Sequence, residues 1–205
     1  MNSVNARFNR KRQYSRRVIR EAFSALLETI PADKITVKLI CDKADVNRST
    51  FYANYVDIYA LRHELKEEYT TTLLPLFQAY DGMDERQFYH ELFRLVYENA
   101  WICRTVTMLD DPSLTKQFTD CIYDKVVAPR KSRLSPEVAD ELDMIFEFSS
   151  AGCYSLIRKW ILRGMDTPFE KMASCLHDLS TRCIGTVDKD GIYRKPAQVS
   201  DCHGS

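Results

Sequence analysis

Residues 46–55 read VNRSTFYANY, and the chemistry packed into those ten positions decides how the rest of the chain is read. Asn47, Arg48, Ser49 and Thr50 are polar or basic, Phe51 is apolar, Tyr52 and Tyr55 follow, and no acid occurs. Asn47 is a good N-cap, because its side-chain oxygen can accept the free amides of a first helical turn. It predicts a short helix from Arg48 to Tyr55. Phe51 and Tyr55, at i and i+4, share one face, while Arg48, Ser49 and Tyr52 point elsewhere. Upstream, ITVKLICDKA (35–44) places Thr36 as an N-cap and Val37, Ile40, Cys41 and Ala44 on one buried side. A break at Asp45–Val46–Asn47 separates the two short helices. Before them, Val18, Ile19, Ala22, Phe23, Leu26, Leu27 and Ile30 form the apolar stripe of a helix starting near Ser15 and ending at Pro31.

Three helices, the second and third joined by a tight break, are the plan of a helix-turn-helix DNA reader. Such a unit presents polar groups at the start of its recognition helix and holds the other face on an apolar scaffold. Val46 and Phe51 can anchor. Arg48 and Ser49 are placed to meet base edges, the guanidinium matching guanine O6 and N7. Asn47, Thr50 and Tyr52 can donate to phosphate oxygens. An ordinary polar helix start on a surface would explain Asn47 and Ser49, but not the helix lengths, the basic flank and the missing acids together.

Charge is distributed to match. The 205-residue chain has no net charge, yet residues 1–56 hold eleven Lys or Arg and five Asp or Glu, and the remainder holds eighteen and twenty-four. A +6 end beside a −6 body suggests that the first segment meets a polyanion, although a basic tail that is merely solvated has the same composition. Residues 1–14 read as a basic flexible arm. No run of about 18 apolar residues is present, so no membrane span is expected, and no apolar stretch follows the basic start as in a secretory signal. The seven cysteines are odd in number and scattered, fitting a cytoplasmic protein. Cys175, His177 and Cys183 match no familiar zinc spacing, so no metal and no cofactor are expected. No Gly-rich phosphate loop, GxSxG or HExxH occurs, so no enzyme is expected.

Beyond residue 57 the pattern stays helical, making the fold class all-α. Asp57 can cap a helix with Leu61, Leu65, Tyr69 and Leu73 on one side, interrupted near Pro75. Further helices are expected over about 84–108, 112–128, 136–163 and 168–184, with Pro112, Pro136 and Pro168 in first turns and Gly164 after a helix end. Residues 186–205 lack periodicity and read as a disordered tail.

ITVKLICDKADVNRSTFYANYVDIYAL (35–61) resembles the DNA-binding core of the TetR family of bacterial transcriptional regulators, in its hydrophobic-Thr opening, short helix, turn and Thr-Phe-Tyr centre closed by an aromatic residue. The resemblance spans about residues 15–65. It implies base contacts from Lys38, Arg48 and Ser49 and backbone contacts from Thr36, Asn47, Thr50 and Tyr52. Two positions depart from the family pattern: the usual turn glycine is Asp45, and a lysine common at the start of the fourth helix is Ile58. The arm arginines are expected to compensate electrostatically for that lysine.

The resemblance also implies a DNA-binding domain over 15–56, an effector-binding and dimerisation domain over 57–185, a palindromic double-stranded operator, a small-molecule effector and repression by a homodimer. SSAGCYSLIRKWILRGMDTPFEKMASCL (149–176) is similar to the closing helix pair of one branch of the family. Phe146, Ser149, Cys153, Leu156, Trp160, Met172, Leu176 and Leu179 are the candidate dimer interface, unless these stripes face the subunit's own core. Tyr97 and Trp101, i and i+4, are the candidate effector contacts among many aromatics. The alternative keeps the fold but gives the protein a protein partner in place of DNA, and Ile58 is the feature that favours it.

Overall fold

Helical structure carries through nearly all of the described chain. The computed structural model describes residues 2–80, 83–131, 134–184, 186–187 and 193–194. Ten α-helical segments are described: α1 (Asn2–Leu27), α2 (Val37–Ala44), α3 (Arg48–Tyr52), α4 (Ile58–Gln78), α5 (Glu85–Glu98), α6 (Ala100–Leu109), α7 (Pro112–Ile122), α8 (Ala128–Lys131), α9 (Pro136–Leu162) and α10 (Phe169–Ile184). A 3-10 turn at Ala32–Lys34 precedes α2, and a π-helical turn at Tyr123–Val127 joins α7 to α8. Two two-residue strands, β1 (Thr186–Val187) and β2 (Tyr193–Arg194), pair antiparallel within the segment expected as a tail, whose other residues lie outside those described.

Several expected boundaries differ, each for a local reason. The helix expected from Ser15 begins at Asn2 and takes in the arm expected over 1–14. Between Asn2 and Leu27 there is no Gly or Pro, and Arg, Lys, Gln and Ala are good helix formers. The helix expected over 84–108 divides at Asn99 (ψ 35°), whose side-chain amide donates to the Leu95 carbonyl at 2.8 Å and so competes with the helix. The recognition helix ends at Tyr52, three residues short of Tyr55. In contrast, α4 is not interrupted by Pro75 but runs on to Gln78. Proline removes one amide, the partner of the Thr71 carbonyl four residues back, and only one further turn follows.

The described chain forms two units, and the first comprises residues 1–71 with 101–111. Its division from the second does not fall at 56/57, because both the first part of α4 and α6 belong to it. Ile19 and Phe23 of α1, Ile40 of α2, Phe51 of α3, Leu61 and Leu65 of α4 and Cys103 and Thr105 of α6 are fully buried together. Burying a phenylalanine such as Phe51 contributes about 3 kcal/mol. Polar ties reinforce this core. Ser24 and Thr105 hydroxyls lie 2.7 Å apart, Arg104 donates to both Glu28 oxygens, and Lys66 reaches Asp111 at 2.8 Å.

The second unit comprises residues 72–100 with 112–205. Phe93 of α5 and Leu176 of α10 are fully buried there, and Trp160 of α9 sits against Phe93 with ring centroids 5.1 Å apart. Phe77, Phe88 and Phe118 form a ring cluster at 4.7–5.3 Å.

Asp45 holds the turn between α2 and α3 in the left-handed region, at φ 52° and ψ 49°, with its amide bonded to the Cys41 carbonyl. Aspartate tolerates this conformation better than most residues, and glycine adopts it at no steric cost. Asp45→Gly is expected to raise stability by up to about 1 kcal/mol, and Asp45→Val to lower it by about 1–2 kcal/mol, in urea unfolding curves.

Candidate nucleic-acid interface

The short helix α3 is built by its caps. The Asn47 side-chain oxygen accepts from the Thr50 amide at 2.7 Å, the Ser49 hydroxyl at 2.7 Å and the Thr50 hydroxyl at 2.8 Å. At the far end, the Asn54 amide group donates to the Thr50 carbonyl at 2.8 Å. Phe51 is fully buried and Tyr55 nearly so, fixing the inner face, while Val46 is half-buried beside them. Arg48, Ser49 and Tyr52 remain on the exposed side.

These bonds divide the expected contacts by chemistry. Arg48 and Lys38 are exposed and have no acidic partner among the described residues, so each is available to an anion or a base edge. Arg48 lies close enough to Cys41 for its charge to favour the thiolate, although burial dominates and pushes that thiol up. Ser49 has already given its proton to Asn47, so outward it offers lone pairs, which suit the amino groups of adenine or cytosine. The Thr50 hydroxyl is committed in the same way and would have to leave Asn47 to donate to a phosphate. Asn47 keeps only its amide hydrogens for that purpose. Thr36 is the converse case: its oxygen accepts the Leu39 amide at 3.3 Å, leaving its proton free for a phosphate oxygen. Tyr52 presents its phenol at 54% exposure.

The α1 arginines are less available than their number implies. Arg16 and Arg20 are held by Glu64 and Glu68 of α4, and Arg17 by Glu21 at 3.2 Å. Arg16 also lies over the Tyr55 ring at 4.8 Å, and the Tyr55 hydroxyl donates to Glu64 at 3.1 Å. Arg10, Lys11 and Arg12 are exposed and have no acidic partner among the described residues. At the start of α4, Ile58 is half-buried, but its neighbours Val56 and Tyr59 are 77% and 74% exposed. Tyr59 and Arg62 are not among the expected contacts. The signal in the sequence is an aromatic and a basic residue three positions apart on one face.

The remaining candidates fall into two groups. Trp101 belongs to the first unit, under Arg20 at 5.0 Å, whereas Tyr97 belongs to the second, beside Phe169 at 5.7 Å. Both are exposed, and the helix expected to align them is broken between them at Asn99. Of the candidate dimer residues, Leu156 and Leu179 are exposed. The others turn toward the core of their own unit. Phe146 packs on Tyr123 at 5.5 Å, Ser149 is buried, Cys153 lies 3.7 Å from the Tyr89 hydroxyl, and the Trp160 indole donates to the Thr167 carbonyl at 2.8 Å. Leu176 is fully buried and Met172 half-buried. At 100° per residue, the row 146–149–153–160 looks inward, and the row 144–148–152 lies about 130° around the helix from it. That outward row carries Met144, Phe148 and Gly152.

Because Asn47 closes three hydrogen bonds and Arg48 none, the two residues separate stability from recognition. Asn47→Ala is expected to cost about 1 kcal/mol of unfolding free energy. Arg48→Ala should change it by less than about 0.5 kcal/mol in the same urea titration.

A family model described as a transcriptional regulator C-terminal region, of the TetR type, matches residues 84–182. The "Uncharacterized HTH-type transcriptional regulator YxbF" of Bacillus subtilis (strain 168) is 27% identical over 151 residues, covering 70% of this chain and 38% of that protein. The chain therefore matches less than half the length of this curated relative. Among solved structures, a TetR transcriptional regulator from Streptococcus agalactiae 2603V shares the fold, with TM-score 0.51 and 22% identity over 86% of this chain and 98% of that one. The dihydroxyacetone kinase operon activator DhaS aligns with TM-score 0.47 and 20% identity over 81% of this chain and 93% of that one. With a helix-turn-helix head that carries the ITV…STFY…Y frame and a regulator C-terminal region matched over residues 84–182, the chain is similar to TetR-type transcriptional regulators.

Proposed function

We propose that the protein is a ligand-responsive DNA-binding repressor that reads a palindromic operator as a homodimer. The observation that carries this reading is the exposed surface of α2 and α3, where Lys38 and Arg48 stay unpaired while Arg16, Arg17 and Arg20 of α1 are held by glutamates. Arg48, Ser49 and Lys38 are the base-reading groups. Thr36, Tyr52 and the amide hydrogens of Asn47 are the phosphate donors, joined by Thr50 once its hydroxyl turns outward.

A two-fold operator requires two heads spaced by about 34–36 Å. The outward face of α9, with Met144 at 65% and Phe148 at 72% exposure and Leu156 beside them, supports pairing with a second copy together with Leu179 of α10. Gly152 lies on the same face, where an added Cβ would meet nothing within 4 Å, so a partner helix has room to approach. For the effector, the second unit offers buried polar groups among aromatics. Burial raises the Tyr89 phenol pKa well above its ordinary value, and the buried Ser149 hydroxyl has no hydrogen-bond partner among the described residues. Helix α4 is continuous from the first unit into the second across Thr71 and Thr72, giving effector binding a covalent route to the reading head.

Fluorescence anisotropy against the DNA upstream of the protein's own gene, with unrelated DNA as control, tests the reading. Arg48→Ala is expected to lose about 1–3 kcal/mol on the operator and little on the control. Tyr52→Ala should weaken both alike. Equal, weak wild-type binding to both DNAs, with or without candidate effectors, would falsify the proposal. In sedimentation velocity, Phe148→Glu is expected to move the protein from dimer to monomer by burying an unpaired charge at the interface.

A further inference from the structure

We infer that the start of α4 carries a phosphate clamp made by Tyr59 and Arg62. The inference rests on the DNA-binding reading above and adds residues that the helix-turn-helix frame does not include. Ile58 is apolar and half-buried, so it supplies no donor. One position further on, Tyr59 is 74% exposed, an unusual setting for a phenol ring. What covers it in part is the Arg62 guanidinium, 6.0 Å from the ring centroid.

Arg62 differs from the other arginines packed around α4. Arg16 and Arg20 meet Glu64 and Glu68, and Arg104 meets Glu28, but Arg62 has no acidic partner among the described residues. The arrangement follows from the helical period. Glu64 and Glu68 lie on the side of α4 that faces α1, Leu61 and Leu65 are buried, and Tyr59, Arg62, His63 and Lys66 share another face. Of that face, Lys66 is occupied by Asp111 and His63 is exposed. The nearby acid, Asp57, is spent on capping, its carboxylate accepting the Ala60 amide at 2.7 Å.

A phenol hydroxyl and a guanidinium, three positions apart with the guanidinium over the ring, are both donors toward a phosphate oxygen. The occupant that fits is the sugar-phosphate backbone of the duplex read by α3. Tyr52, Val56 and Tyr59 continue the exposed surface along the chain from the recognition helix into α4. A backbone contact carries charge but no sequence information, which separates it from the contacts of Arg48.

The test uses the full-length protein and a mixed-sequence duplex of about three helical turns, titrated by anisotropy over a sodium chloride series, with the upstream DNA in parallel. Each phosphate neutralised contributes about 0.9 to the slope of log binding constant against log salt. Arg62→Ala is expected to flatten that slope by about one on both DNAs, Arg62→Lys to keep it, and Tyr59→Phe to weaken binding about two- to tenfold with the slope unchanged. Selectivity between the two DNAs should stay at the wild-type ratio, and melting temperatures should match. A wild-type slope in Arg62→Ala overturns the clamp while leaving the operator-reading proposal standing, and a changed selectivity ratio overturns it in favour of base reading. A wild type that binds neither duplex overturns both, and a surface for a protein partner is then the reading to pursue.

Discussion

The carboxylate of Glu64 organises the reading head. It sits on α4 and receives Arg16 and Arg20 from α1 and the Tyr55 hydroxyl from the end of the recognition segment. Arg16 also donates to the Asn54 carbonyl and lies over the Tyr55 ring. One acid thus ties the scaffold helix, the recognition segment and the helix that leaves the domain. These groups are only partly buried, so each pair contributes modestly as an isolated salt bridge. Their value is geometric, because together they set where Tyr55, and through it Phe51 and α3, can lie.

The same network explains where the positive charge of the N-terminal segment is left available. A basic composition by itself does not make a polyanion-binding surface, since a cation held by a carboxylate presents a dipole rather than a net charge to a third group. The α4 glutamates neutralise the inner arginines of α1. What stays unpaired among the described residues includes Arg10, Lys11 and Arg12 of α1, Lys38 and Arg48 on the outward surface of α2 and α3, and Arg62 near the start of α4. The head is therefore charged in a pattern, and the pattern rather than the total is what a duplex would meet.

Local bonding also decides what kind of partner each polar residue is. Asn47 absorbs two hydroxyl protons and one amide, so α3 starts rigidly at the expense of donors that its sequence offers. A five-residue helix has little intrinsic stability, and caps of this kind are how it persists in water. The side chains left with no structural duty, above all Arg48, are the ones free to meet a partner.

The all-α class, the three-helix head, the caps at Thr36, Asn47 and Asp57 and the left-handed tolerance of Asp45 were all legible in the sequence, because each depends on residues within a few positions of one another. The family frame was legible for the same reason. Tertiary structure decided what depends on partners far away in the chain. Helix α6 joins the head through Ser24–Thr105 and Glu28–Arg104, pairings across 81 and 76 positions that no local pattern encodes. Which arginines are neutralised depends on acids 48 positions away. On α9, amphipathic spacing marks two rows about 130° apart, and only packing against α5 and α10 settles that Ser149, Cys153 and Trp160 turn inward and that Met144 and Phe148 face out. Periodicity determines the rows of a helix. Its neighbours determine which row is the inside.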